Sequence, residues 1–286
     1  MHATLPAMRL ANRGSVPMLR LQFELMMRAI PVPRRVAVRR VSLGGVPAEE
    51  ITPTDRPVSG TLVYIHGGGY VIGSARTHRA GAARLALHAR RRVLLPNYRL
   101  APEHPFPAAP DDILSAWRHL AEREEHLVLA GESAGGGLNA ALCLDAAAQG
   151  LRLPDKLYLL SPWLDLTHGS AAHAGRNHLE PLLKTRYLES QFARHYAGAT
   201  GRREPRLSPL FGDVSAFPPT LIHVGTHETL HDDATAMAEK LRAAGVPVTL
   251  HAAEGLWHAW PLLAPLFPEA SGALREAGHW LRRASL

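Results

Sequence analysis

The sequence predicts an α/β fold in which helices cover both faces of a mostly parallel β-sheet. Short apolar runs alternate with helical patterns along most of the 286 residues, and this alternation is typical of strand–helix–strand units. In addition, two glycine-rich motifs each follow a strand-like run, His66-Gly67-Gly68-Gly69 and Gly131-Glu132-Ser133-Ala134-Gly135. With 46% hydrophobic and 20% charged residues, the chain can form one large domain with a sizeable core.

The first predicted element is an amphipathic helix from Val16 to Ile30, which ends before Pro31. Its charged residues are four apart and therefore lie on one face. The remaining surface is broadly apolar, so we expect it to cover either the core or a ligand cleft. This apolar surface comprises Leu21, Phe23, Leu25, Met26 and Met27.

Eight strands and five further helices follow. The predicted strands are short apolar or β-branched runs: Val36–Ser42, Val46–Thr52, Thr61–His66, Arg92–Pro96, Leu127–Ala130, Leu157–Ser161, Thr220–Val224 and Val248–Ala252. The predicted helices separate or follow the later strands: Thr77–Ala89, Pro110–Arg123, Ala134–Gln149, Asp232–Ala244 and Pro268–Arg283. Because parallel strands need crossover helices of this kind, most of the sheet should be parallel.

The alternation breaks between Asp165 and Pro219. This segment begins with a polar stretch, contains an amphipathic helical pattern near Lys184–Tyr196 and returns through a proline-containing run. Ligands of parallel α/β folds bind at the carboxyl edge of the sheet. We therefore expect the insertion to lie over that edge and to form a lid together with the N-terminal helix.

The two glycine-rich motifs predict acyl-transfer chemistry. In the second motif, Ser133 lies on a tight strand-to-helix turn that would expose its hydroxyl for attack on a carbonyl. The first motif supplies exposed backbone N–H groups that can hold a developing oxyanion. Either motif alone is weak evidence, but the two in this order, each after an apolar strand, indicate a serine nucleophile beside an oxyanion site.

A catalytic serine needs a base, and the base needs an orienting carboxylate. His258 follows the predicted strand Val248–Ala252, which is where folds of this type place the base. In the loop after Thr220–Val224, Glu228 is the preferred acid. Asp232 is the alternative, although it should lie one turn into the next helix, where acidic residues commonly cap.

Composition and charge exclude several other classes of protein. The net charge of +7 comes mostly from arginine clusters such as Arg34-Arg35, Arg39-Arg40 and Arg90-Arg91-Arg92. We interpret these as solvated surface, without a nucleic-acid partner, because no nucleic-acid-binding signature accompanies them. Cys143 is the only cysteine, which excludes an intrachain disulfide, and we expect it to be buried.

We expect a cytoplasmic protein without stable membrane insertion. No stretch of the sequence reaches the roughly eighteen apolar residues that a membrane span requires. The first ten residues contain a proline and lack the continuous apolar core of a secretory signal.

The sequence predicts neither a metal site nor a phosphate-binding loop. No pair of histidines with zinc-hydrolase spacing lies on a predicted helix together with an acidic third ligand. His168, His173 and His178 are five residues apart and are separated by glycine and serine. The run Gly135-Gly136-Gly137 lacks the lysine and hydroxyl residue that end a phosphate loop.

Taken together, these motifs resemble the hormone-sensitive-lipase-like family of bacterial carboxylesterases, which have the α/β-hydrolase fold. The resemblance runs from about residue 60 to the C-terminus. Besides the serine turn and the two late loops, it rests on His66–Tyr70, Tyr98–Ala108 and Ser161–Asp165. The resemblance implies an eight-stranded sheet with a helical cap. We accordingly assign residues 1–35 to an N-terminal cap region and residues 36–286 to a catalytic domain with a cap insertion at about 166–215.

The resemblance also implies how the site works. The backbone N–H groups of Gly68, Gly69 and Ala134 would form the oxyanion hole. The protein would hydrolyse small, short- to medium-chain esters through an acyl-enzyme and without a cofactor, and a homodimer is a further expectation. A lactone hydrolase or an amide deacetylase with the same triad stays an alternative, as does, more remotely, a non-catalytic small-molecule-binding protein of the same fold.

Two residues depart from the common pattern of the family, since Glu132 stands where Asp or Thr is frequent and Glu228 where Asp is usual. The longer carboxylate of Glu228 can reach an imidazole if its loop retracts by about one methylene. Four residues adjacent to the motifs either line the substrate pocket or pack in the core: Tyr70, Trp163, Leu164 and Trp257.

Overall fold

The computed structural model describes residues 15–55, 60–167 and 175–283. Its centre is an eight-stranded sheet, and each strand overlaps a strand that the sequence predicts. The strands are β1 Val36–Leu43, β2 Val46–Pro53, β3 Thr61–Ile65, β4 Arg92–Pro96, β5 Leu127–Glu132, β6 Lys156–Leu160, β7 Thr220–Gly225 and β8 Val248–Ala253. The predicted fold class is therefore confirmed.

The strands are ordered β1-β2-β4-β3-β5-β6-β7-β8 across the sheet. The pairs β1–β2 and β2–β4 are antiparallel, whereas every pair from β4 to β8 is parallel. Because parallel strands end at the same edge of a sheet, the segments that follow β3, β5, β7 and β8 lie close together.

The helices form a layer on each face of the sheet. They are α1 Val16–Arg28, α2 Ala75–Ala89, α3 Ala108–Ala121, α4 Ala134–Ala148, α5 over residues 185–197, α6 His231–Ala243 and α7 Pro268–Arg282. Apolar residues of α3, α4 and α6 belong to one core cluster and those of α2 and α7 to the other. Successive residues of β3 alternate between these clusters, as the period of a strand requires: Val63 faces the first and Tyr64 the second.

The N-terminal helix differs from the prediction. It ends at Arg28 rather than Ile30, and Leu21 and Leu25 are 54% and 57% exposed. Only part of the predicted apolar surface is therefore covered, with Met27 buried and Phe23 directed towards a cavity. The charged residues of α1 share the contact with the rest of the protein, because Arg20 donates to the carbonyl oxygens of Val71 and Ala101.

Most arginines of the predicted clusters are exposed, as the sequence suggests: Arg34, Arg35, Arg39, Arg40 and Arg90. Arg91 is the exception, and Arg39 makes a contact although it is exposed. Arg91 is only 7% exposed, and its Nε donates a hydrogen bond to the carbonyl oxygen of Leu281 at 3.2 Å. Arg39 contacts Glu50 at 2.7 Å across the β1–β2 pair.

Cys143 is buried, as expected. No helix within the described ranges has both the length and the apolar character needed to cross a membrane.

Candidate active site

Ser133 lies where β5 ends and α4 begins, at the carboxyl edge of the sheet. Its backbone has φ +54° and ψ −122°, a conformation that is costly for a residue with a side chain. The turn is possible because glycines flank it: a Cβ at Gly135 would overlap the carbonyl oxygen of Ile65, and one at Gly131 would lie 2.6 Å from that same atom. Close packing of helix against strand thus sets the position of the Ser133 side chain.

Glu228 and His258 lie on the loops that follow β7 and β8. His258 Nδ1 is 3.2 Å from Glu228 Oε2. The other carboxylate oxygen of Glu228 accepts hydrogen bonds from Ser161 Oγ at 2.7 Å and from the backbone N–H of Gly225 at 2.6 Å. Glu228 is fully buried, so these bonds hold the carboxylate in a single orientation towards the imidazole.

The alternative acid, Asp232, is placed elsewhere. It lies in the first turn of α6, and its Oδ1 is 3.4 Å from Arg176 Nη2 and 3.5 Å from His231 Nδ1. The geometry therefore favours Glu228 over Asp232 as the partner of His258.

A second buried carboxylate, which sequence reasoning missed, contacts the same histidine. Glu180 is fully buried in the insertion, and its Oε2 accepts a hydrogen bond from the backbone N–H of His258 at 2.9 Å. Its Oε1 accepts from the N–H of Leu182 at 2.8 Å. Burial raises the pKa of Glu180, although the nearby His258 opposes this shift. No sequence motif marks Glu180, because it meets His258 only through the folding of the insertion.

These carboxylates determine the protonation of His258. Burial by itself would lower the pKa of the imidazole. The hydrogen bond and charge of Glu228, with further contributions from the charges of Glu180 and Glu132, outweigh burial and raise the pKa of His258 above its usual value of 6.5. The imidazolium is therefore stabilised more strongly here than in water.

Ser133 and His258 line one small cavity of about 100 Å³. Most of its wall is apolar. Phe23 comes from α1, Ile72 from the loop after β3, Leu262 from the segment after β8, and the insertion contributes Leu183, Leu188 and Phe192. An apolar cavity with a few converging polar groups is the usual form of a small-molecule site.

Two glycines of the cavity wall and the first residue of α4 have backbone N–H groups without a protein acceptor. Gly68 and Gly69 line it, and both have positive φ values, +103° and +60°. Ala134 is the first residue of α4, where a backbone N–H has no partner within the helix. Within the part of the chain that the structure describes, none of these three N–H groups donates to a protein acceptor. Backbone N–H groups without a protein acceptor can hold an anion.

Known proteins share both the sequence and this architecture. The sequence matches the α/β hydrolase fold family over residues 62–262. The chain belongs to this family. An acetyl-hydrolase of Streptomyces hygroscopicus is 40% identical over 257 residues, which cover 86% of this chain and 82% of the relative. An ethyl acetate hydrolase of Pseudomonas putida is 34% identical over 235 residues, which cover 78% and 73% of the two chains.

Solved structures identify the branch of the family. The crystal structure of an esterase from the bacterial hormone-sensitive lipase family superposes with a TM-score of 0.91 at 37% identity, over 94% of this chain and 92% of the other. The resemblance to the hormone-sensitive-lipase-like carboxylesterases is thereby confirmed, and the chain is a hydrolase of that branch.

The glutamate before Ser133 holds the hydrolase's glycine loop. Glu132 is fully buried and accepts hydrogen bonds from Tyr64 Oη at 2.5 Å and from the backbone N–H of Gly67. It also pairs with His78 Nε2 at 2.8 Å. Burial disfavours the charged form of both residues. The charge and hydrogen bond of the partner outweigh burial in each case, so the pKa of Glu132 is lowered and that of His78 is raised. This ion pair connects α2, β5 and the loop that carries Gly68 and Gly69.

The four residues expected near the substrate lie outside the cavity lining. Tyr70, Trp163 and Leu164 are at most 1% exposed, and Tyr70 stacks on Tyr196 with a centroid distance of 3.7 Å. Trp257 packs against Phe267. Although these residues are adjacent to the motifs in sequence, their side chains pack in or against the core. Residues of α1 and the insertion form the cavity wall instead.

Among the described residues, the group of three side chains that could together ligate a metal lies away from this cavity. In the described ranges, His223, His251 and Glu276 cluster on another part of the sheet. His178 is exposed, and His168 and His173 lie outside the described residues.

Proposed function

We propose that this carboxylic ester hydrolase cleaves small, short- to medium-chain esters through an acyl-enzyme on Ser133. One observation carries the proposal: Ser133 and His258 line the same apolar cavity, and Glu228, buried and doubly hydrogen-bonded, lies 3.2 Å from His258 Nδ1. This is the order of nucleophile, base and orienting acid that serine hydrolases need.

In the proposed reaction, His258 accepts the proton of Ser133 as its hydroxyl attacks the ester carbonyl. Glu228 keeps the imidazole in the tautomer that has its free nitrogen towards Ser133, and it stabilises the imidazolium that forms. His258 then protonates the leaving alkoxide, and a water molecule repeats the sequence to release the acid.

The backbone N–H groups of Gly68, Gly69 and Ala134 would stabilise the oxyanion of each tetrahedral intermediate. An oxyanion-hole donor contributes about 2.7–4 kcal/mol to the transition state in other hydrolases. The ion pair of Glu132 with His78 supports this role, because Glu132 holds the N–H of Gly67 immediately before the two donors.

The size of the cavity supports a short acyl group. Its volume of about 100 Å³ is smaller than the roughly 150 Å³ cavity that accommodates benzene in another protein. The acetyl-hydrolase and the ethyl acetate hydrolase among the relatives are in keeping with this size. Medium-length chains would require the walls from α1 and the insertion to move apart.

These same walls support the domain assignment. We propose that the N-terminal region, residues 1–35, and the insertion, residues 166–215, act as a cap that sets the acyl length. Phe23 from the first segment and Phe192 from the second both line the cavity.

The test is a panel of p-nitrophenyl esters from acetyl to palmitoyl, extended with lactones and an acetanilide. We expect the highest kcat/KM on the short esters. The Ser133→Ala variant should lose activity by about 10⁶-fold, as serine hydrolases do without their nucleophile, and should keep its fold. Ser215→Ala, at an exposed loop position, is the matched control and should leave activity unchanged.

A fluorophosphonate probe separates the mechanism from the substrate preference. It should label the wild-type enzyme and the Ser215→Ala variant once, on Ser133, and should leave Ser133→Ala unlabelled. Retained turnover in Ser133→Ala would refute the nucleophile, whereas higher rates on lactones, on the acetanilide or on palmitoyl esters would refute only the substrate preference.

A further inference from the structure

Three potential metal ligands meet on one face of the sheet, outside the catalytic cavity. His223 on β7 and His251 on β8 lie directly opposite each other in the parallel register. Residues paired in this way point to the same face of a sheet, and the two imidazole rings stack with centroids 5.2 Å apart. Helix α7 covers this face and contributes Glu276.

The carboxylate of Glu276 directs one oxygen to each imidazole. Its Oε1 is 2.8 Å from His251 Nδ1, and its Oε2 is 3.6 Å from His223 Nε2. All three potential ligand atoms lie within 4.8 Å of one another. Zn²⁺ bonds of about 2.0–2.2 Å in tetrahedral geometry place ligand atoms roughly 3.4 Å apart, so small side-chain rotations would close the site.

One of these ligand atoms is buried without a partner. His223 is 2% exposed, and its Nε2 makes no hydrogen bond to any residue that the structure describes. The 3.6 Å separation from Glu276 is too long for one. The other ring nitrogen of His223 lies 3.3 Å from Tyr158 Oη. Tyr158 Oη can accept a hydrogen bond from Nδ1–H, and in that tautomer Nε2 carries the lone pair that a metal ion needs.

We propose that His223, His251 and Glu276 bind one zinc ion that links α7 to β7 and β8. Two imidazoles and a carboxylate form a ligand set that suits zinc and its first-row neighbours, whereas magnesium and calcium prefer oxygen ligands alone. The side chains of His251 and Glu276 are 46% and 47% exposed, so the ion can reach the site from solvent and a water molecule can complete the coordination.

Surrounding charges also bear on the site. Glu254 and Glu269 line the groove of about 390 Å³ that contains all three ligands. Arg275 lines the adjoining groove beside His251 and Glu276 and opposes a cation there. The site therefore depends on its three direct ligands rather than on a general excess of negative charge.

The predicted absence of a metal site followed from looking for histidines at helical spacing. That criterion cannot detect ligands which belong to two strands and a helix and which come together only through the pairing of β7 with β8. The proposed zinc ion would stabilise the edge of the sheet. Among the described residues, β8 pairs with β7 alone, and the ion would also connect it to α7.

The experiment uses the full-length protein after treatment with a chelator. Isothermal titration calorimetry with zinc chloride and visible spectra with Co²⁺ measure binding, and thermal unfolding measures the effect on stability. We expect a site that raises the midpoint of unfolding and gives Co²⁺ the intense visible bands of four-coordinate geometry. Ligand binding to the folded state alone must raise its stability.

The variants are chosen at exposed positions so that the fold is preserved. His251→Ala and Glu276→Gln should each weaken zinc binding by about tenfold or more, a loss of about 1.4 kcal/mol or more, and should abolish the cobalt bands. His126→Ala, which removes an exposed histidine distant from the cluster, should change neither. Equal zinc affinity in the wild type and all three variants would overturn the proposal. Absence of zinc binding by the wild type would overturn it as well.

Discussion

At the scale of single residues, two buried carboxylates from distant parts of the chain act on His258. Glu228 contacts the imidazole ring and Glu180 contacts the backbone N–H. Both charges favour the imidazolium, which is why the pKa of His258 is raised despite its burial. A base must be neutral to accept a proton, so a raised pKa confines full activity to higher pH.

Replacing Glu180 with glutamine should shift the pH dependence of catalysis. The amide oxygen can still accept the hydrogen bond from the N–H of His258, but the negative charge is lost. The pKa of His258 should fall, and the acidic limb of the kcat/KM profile for p-nitrophenyl acetate should move to lower pH. Glu254→Gln removes an exposed carboxylate four residues from His258 and is the control. If the acidic limb of Glu180→Gln lies at the same pH as that of the wild type, Glu180 does not act on the base.

Single residues also differ in how well the sequence predicts them. Ser133, Glu228 and His258 are recognisable because each follows a predicted strand, and strand ends converge at one edge of a parallel sheet. Glu180 has no such marker, since the insertion around it lacks the strand–helix alternation. Tyr70 and Trp163 stand beside motifs, but adjacency in sequence does not determine which way a side chain points.

At the scale of elements, helix α5 brings the insertion into contact with the cavity. Its central turn, Leu188–Ala193, is π-helical, a feature that is frequent at functional sites. The amphipathic pattern predicts a helix near Lys184–Tyr196, but it does not indicate that the central turn of this helix is π-helical. Phe192 occupies the space in which a side chain at Gly69 would lie, so the length of the cavity depends on this residue.

Replacing Phe192 with alanine should lengthen the acyl chain that the enzyme prefers. The space released can take additional methylene groups, each worth about 0.8 kcal/mol when buried, or roughly fourfold in kcat/KM. The ratio of rates on p-nitrophenyl octanoate and butyrate measures the change. Phe211→Ala, outside the cavity lining and in contact with Arg203, should leave that ratio as in the wild type. A ratio that rises equally in both variants would contradict the proposed role.

At the scale of the whole molecule, the sheet determines which distant residues meet. Periodicity predicts all eight strands, but it cannot give their order, in which β4 precedes β3 and β2 runs antiparallel to β4. Register and order come from side-chain packing between strands that are far apart in sequence. The homodimer that the family resemblance implies stays a prediction.

The stability of the whole fold should depend on the ion pair between Glu132 and His78. Because the pKa of Glu132 is lowered on folding, its contribution is present above the usual value of 4.5 and is lost as the pH falls through the folded pKa. Because the pKa of His78 is raised, its contribution is present below 6.5 and is lost as the pH rises through the folded pKa. The two conditions hold together between pH 4.5 and 6.5.

Denaturant unfolding of the wild type and of Glu132→Gln at several pH values measures this contribution. The difference in free energy of unfolding should be about 3–5 kcal/mol between those two pH values, the usual cost of breaking a buried pair, and should decrease on either side. Glu122→Gln, at an exposed surface pair with Arg123, should give a small difference at every pH. A difference for Glu132→Gln that is independent of pH would show that the pair is not ionised.

The backbone conformation of Ser133 sets stability against catalytic activity. A residue held at φ +54° costs the native state about 1–3 kcal/mol, and only glycine would relieve that cost, at the expense of the nucleophile. Selection for heat resistance and selection for turnover therefore oppose each other at this position. Thermostable descendants that remain active must gain their extra stability elsewhere in the chain.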